Sequence, residues 1–102
     1  MIKTVRIAIL VLIYCLSSAS FAGDPAAGKA KAVICQACHG VEGISPNELW
    51  PNLAGQKEGY LIKQMKAFRD GVRSDPLMSP MSKALTDTDI ENIAAFFSGQ
   101  SK

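Results

Sequence analysis

Two cysteines that flank two residues and are followed at once by a histidine, Cys35-Gln36-Ala37-Cys38-His39, constrain this chain more than any other feature in it. That spacing is the pattern for covalent haem attachment. Two thiols on one turn of backbone reach the two vinyl groups on one edge of a porphyrin, while the next side chain turns under the ring and offers a nitrogen to iron. His39 is the only histidine in the sequence, so a Met or another group has to supply any second axial ligand. Three other chemistries share the motif. Structural zinc takes four N or S ligands, and Cys35, Cys38 and His39 leave that set one short. A thioredoxin-like redox pair sits in βαβ patterning, yet no alternating or β-branched run follows residue 23. A disulfide between Cys35 and Cys38 closes so small a loop that it stabilises little.

The N-terminus reads as a targeting segment. Lys3 and Arg6 precede an apolar stretch from Ile7 to Leu16, and Ser20-Phe21-Ala22 carries small residues at its first and third positions, which is the layout of a secretory signal peptide. The apolar core is about ten residues, against the ~20 that span a bilayer, so residues 1–22 are expected to be removed and no membrane span to remain. Bulky Tyr14 before Cys15 argues against lipoprotein processing there. The expected product is a single periplasmic domain, residues 23–102, whose only cysteines belong to the motif. Taking Lys3 and Arg6 from eleven basic residues leaves nine against nine acidic ones, hence no net charge. Nucleic-acid binding, which calls for a concentrated basic surface, finds no support. A chain of eighty residues makes one domain with a marginal core. A buried porphyrin would supply apolar surface, so the haem is expected to be structural as well as functional.

Helix signals occur at three places between Gly- and Pro-rich loops, which predicts an all-α fold. The first helix is expected from about Asp24 to Cys35, with Asp24 as cap, Pro25 at the first position and an Ala-rich body. The second runs from about Lys57 to Asp70, with Tyr60, Leu61, Gln64, Met65 and Phe68 on one face and Gly71 as its stop. The third opens on Thr86 and Asp89, a capping-box-like pair with Leu85 stapling to Ile90, and ends at Gly99. Its stripe of Ile90, Ile93, Ala94 and Phe97 faces a core. Gly28 would let this last helix approach the first closely, with Phe96 or Phe97 over the missing side chain.

A proximal His in electron-transfer haem proteins commonly pairs with a Met sulfur, which raises the potential. Met65 belongs to the apolar face of the second helix and reads as core packing. Met78 and Met81 lie in the segment Asp75-Pro76-Leu77-Met78-Ser79-Pro80-Met81, expected to be a loop that its two prolines stiffen. Either sulfur fits from the residues alone.

Taken together, the helix with Gly28, the motif with Gly40 behind it, Pro51-Asn52-Leu53-Ala54-Gly55-Gln56, the Met-Ser-Pro-Met segment and Leu85-Thr86-Asp87 resemble the bacterial class I cytochromes c of the cytochrome c553-like type. The chain is also similar to one half of the dihaem cytochromes c. The resemblance covers essentially all of residues 23–102. It implies a small cytochrome c fold, three main helices and loops wrapped around one haem c, with Cys35 and Cys38 as the covalent attachments and His39 as the proximal iron ligand. Counting back seven residues from Leu85, it implies Met78 as the distal ligand, with Met81 as the alternative. It also gives Pro51 a role, its carbonyl accepting the other ring N–H of His39. Trp50 and Tyr60 read as wall packing beside the haem.

With both axial positions filled by protein, what remains is outer-sphere exchange of single electrons through an exposed haem edge. Such a chain is a carrier and not an enzyme, and its partners, an electron donor and an electron acceptor, dock transiently. Lys57, Lys63, Lys66, Arg69, Arg73 and Lys83, set against Glu58, Asp70 and Asp75, form either a steering rim for an acidic partner or an ordinary solvated face. The competing classes are a haem subunit of a larger oxidoreductase and an open-site haem protein that binds gas or peroxide.

Overall fold

The computed structural model describes residues 23–102 and holds five helices: α1 (Pro25–Lys31), α2 (Val33–His39), α3 (Glu58–Arg69), α4 (Met78–Ser82) and α5 (Asp87–Ser98). The leader expected at residues 1–22 lies outside the described residues. Among the described residues there is no strand, and no helix is long and apolar enough to cross a membrane.

The first expected helix is in fact two. α1 starts as predicted, with Asp24 accepting from the Ala26 N–H and Pro25 at the first position. It bends at Ala32, a fully buried residue that caps α1 and opens α2. α2 then runs four residues past Cys35, to His39. No Gly or Pro marks the sequence at this point. α3 matches its predicted span within a residue at each end.

The segment expected as a stiff loop contains α4. Asp75 nucleates it: one carboxylate oxygen accepts from the N–H groups of Leu77 (2.8 Å) and Met78 (2.9 Å), and the Asp75 N–H donates to Ser79 Oγ (2.9 Å). Pro80 falls in the first turn, where an N–H would have no partner within the helix, so the proline does not interrupt it.

α5 carries the predicted capping box, Asp89 N–H to Thr86 Oγ1 and Thr86 N–H to Asp89 Oδ2, both at 3.0 Å. Its Ile90, Ile93, Ala94, Phe96 and Phe97 join Leu61 and Met65 of α3, Ala32 and Leu85 in one core, with Cys35, Leu53 and Ile62 against its edge. The Phe96 and Phe97 rings sit tilted, with centroids 5.0 Å apart. α1 lies across α5, and Gly28 makes that crossing possible. A β-carbon at Gly28 would overlap the backbone carbonyl of Asn92, so the close partner is main chain and not Phe96 or Phe97. Asn92 Oδ1 also accepts from the Asp24 N–H (2.8 Å), and Lys31 reaches Asp89 at 3.6 Å.

Candidate functional site

Because α2 continues to His39, Cys35, Cys38 and His39 stand at i, i+3 and i+4 and therefore share one face of a single helix. Both thiols are free. Cys35 packs against the core, and burial, reinforced by the neighbouring Cys38, pushes its thiol up to about 11. Gly40 ends the helix at φ +85°, a left-handed conformation, and a β-carbon there would strike the Ile44 carbonyl.

His39 is 6% exposed, and its Nδ1 lies 2.7 Å from the carbonyl oxygen of Pro51. A carbonyl only accepts, so Nδ1 carries the proton and Nε2 holds the ring's free lone pair. The loop that brings Pro51 there is folded on itself. Gly43 O accepts from the Leu53 and Ala54 N–H groups (2.8 and 3.1 Å), Asn52 Oδ1 takes the Ser45 N–H (2.7 Å), and Ser45 Oγ reaches back to Cys38 O (3.3 Å). Ser45 and Asn52 thus tie the loop to the motif helix. Neither has a role legible in the sequence, although Asn52 lies in the segment that carries the resemblance, because a Ser and an Asn between glycines and prolines look like any loop.

The three methionines occupy different environments. Met65 is buried in the core cluster, Met78 is half-buried at the first position of α4, and Met81 is 44% exposed. Asp75 pins the Met78 backbone, and the N–H groups of Met78 and Leu77 hold the Asp75 carboxyl below its ordinary range. Trp50 is half-buried and Tyr60 half-exposed. Among the described residues, no group of three His, Cys, Asp or Glu side chains is placed to hold a metal ion between them.

Two members of the predicted basic rim are engaged inside the molecule. Arg69 bonds Asp70 (2.9 Å), Asp87 (2.7 Å) and the Leu85 carbonyl (3.2 Å), contacts with Asp70 and Asp87 that raise its pKa further. Arg73 bonds Gln64 (2.9 Å) and lies 4.5 Å over the Phe68 ring. Lys57, Lys63 and Lys83 are exposed, and Lys66 is half-buried.

A small helical fold with two free thiols and a correctly protonated imidazole on one helix face is that of a protein built to hold a covalently attached haem, and the donor set fits that group. The family model for cytochrome c matches residues 25–101. Cytochrome c4 of Pseudomonas aeruginosa is 51% identical over 79 residues, which cover 78% of this chain and 39% of that protein. Cytochrome c-554(548) of Halomonas halodenitrificans is 48% identical over 82 residues, covering 78% of this chain and 99% of that protein. The crystal structure of reduced recombinant cytochrome c4 from Pseudomonas stutzeri superposes with a TM-score of 0.74 at 43% identity, over 78% of this chain and 46% of the other. The chain belongs to the cytochrome c family, and it matches one half of cytochrome c4, a dihaem class I cytochrome. Its cofactor is haem c, bound covalently through Cys-x-x-Cys-His, the sequence of residues 35–39, and the family is one of electron carriers. The chain spans about half the length, or less, of the cytochromes c4 it matches.

Proposed function

We propose that residues 23–102 form a periplasmic one-haem carrier, freed from its leader after Ala22, that passes single electrons between transient protein partners by outer-sphere transfer. Haem c supplies the reversible one-electron couple; the rest of the work is done by the chain. Cys35 and Cys38 would fix the ring, and His39 Nε2 and the Met78 sulfur would ligate its iron. The His39–Pro51 bond carries this reading, because it commits Nδ1 to the protein and leaves Nε2 as the ligand nitrogen in a fixed ring orientation. Met78 is favoured over the alternative Met81 by its lower exposure and by the Asp75 clasp on its backbone. Held ligands on both sides reorganise little when the charge changes, which suits rapid transfer and leaves no open position for a substrate. Lys57, Lys63, Lys66 and Lys83 remain as the groups that would steer an acidic partner, with Arg69 and Arg73 engaged elsewhere.

A second reading has the same ligands serving one unit of a larger electron-transfer assembly, and the greater length of the cytochrome c4 relatives favours it. Sedimentation of the protein from its host separates the two, since a free carrier runs near its own mass. The ligand assignment is tested in the oxidised holoprotein. Met78→Ala is expected to abolish the weak near-infrared sulfur-to-iron absorption and to open the reduced protein to carbon monoxide, while Met81→Ala keeps the band. The reverse pattern would exchange the two residues, and carbon monoxide binding by the unmodified reduced protein would favour an open site.

A further inference from the structure

Ser82 Oγ is the one buried side-chain oxygen or nitrogen among the described residues with no hydrogen-bond partner. The residue is 1% exposed, so solvent does not compensate, and an unpaired buried hydroxyl costs on the order of 1–3 kcal/mol. Alanine would fill the same space without that cost. A serine inside a helix has a ready acceptor in the carbonyl four residues back, here that of Met78, and Ser82 does not use it.

α4 sets where the hydroxyl stands relative to Met78. Ser82 ends α4 and Met78 begins it, so the two stand at i and i+4 on one face, and a helical side chain leans back over the turn that precedes it. Met81, one residue away, points elsewhere on the helix and is 44% exposed. A thioether sulfur has two lone pairs and is a weak acceptor; when one pair goes to iron, the other is free for a donor.

We propose that the Ser82 hydroxyl donates a hydrogen bond to the Met78 sulfur when that sulfur is an iron ligand, which makes Ser82 a tuning residue for the potential. The inference rests on the reading of Met78 as distal ligand. A donor on the sulfur draws electron density away from the iron bond, disfavours the ferric state and raises the potential, the lever that groups around a ligand commonly supply. Only the hydroxyl proton is shared, and no group is transferred.

The test uses the holoprotein with Ser82→Ala, which removes one oxygen and adds no volume. At a fixed solution potential, the ratio of oxidised to reduced protein is expected to rise roughly threefold to tenfold, a fall of about 30–60 mV at 59 mV per decade for one electron. The near-infrared band should persist with a shifted maximum. In the unmodified reduced protein, proton NMR should show a slowly exchanging Ser82 hydroxyl with a cross-peak to the Met78 methyl. An unchanged potential and band in Ser82→Ala, with or without a gain in stability, overturns the inference, as does a hydroxyl cross-peak to a different acceptor. Met78→Ala keeps the two questions apart. If that variant retains the band, the ligand assignment has failed; if it loses the band while Ser82→Ala moves nothing, only the role of Ser82 has failed.

Discussion

Gly28 meets the Asn92 carbonyl with no room for a β-carbon, and the obstacle is main chain, which has no rotamer to escape into. Gly28→Ala is therefore expected to cost about 3 kcal/mol, the upper part of the range for overpacking, although alanine is the better helix former. A lower urea midpoint at an unchanged m-value would check it, and equal or greater stability would mean that the crossing yields. At the site, the residues differ in how far the sequence disclosed them. Cys35, Cys38 and His39 were legible because the spacing itself states the chemistry. The contact between His39 and Pro51 came from resemblance, since twelve intervening residues of loop have no periodicity to read. Ser82 was invisible: a serine between a methionine and a lysine says nothing of its burial.

At the level of elements, α5 was readable to the residue because its cap and its stripe agree. Thr86 and Asp89 satisfy each other's main-chain groups, and the apolar positions follow the helical period from Ile90 onward. Thr86→Ala is expected to lower stability by about 1 kcal/mol, seen as a reduced denaturation midpoint in the holoprotein. The same end of α5 sets an acid dependence. The Thr86 N–H, with a smaller contribution from Lys31, holds the Asp89 carboxyl below its ordinary value, and Arg69 does the same for Asp87. Folded values lie beneath unfolded ones, so the stabilisation is complete above the usual carboxylate range of about 4 and drains as pH falls through the folded values. Urea midpoints should therefore hold steady down to about pH 5 and decline below it, with Asp89→Asn showing the shallower decline. α4 escaped the sequence reading for a physical reason. A helix of five residues with an internal proline has no period to detect, and its start is made by an aspartate three residues upstream that reads as a turn residue. The bend between α1 and α2 escaped for a different reason, since no Gly or Pro marks it.

The described residues hold one small core, drawn from α3 and α5 and from Ala32 and Leu85 between helices, with Cys35 of α2 against its edge. Over the eighty described residues, burial leaves little surplus over chain entropy, and a group bound only by the folded state adds what is missing. The haem-free chain is accordingly expected to show no sharp cooperative melt, while the holoprotein does; circular dichroism on both decides it, and a steep transition without haem would refute a structural role for the cofactor. The crossing of α1 over α5 has a further consequence, one of timing. Among the described residues the first helix lies against the last, so α1 lacks its main packing partner until α5 exists. The N-terminal segment, although it comes early in the chain, finishes packing only with α5, so closure of the fold waits on residues 87–98.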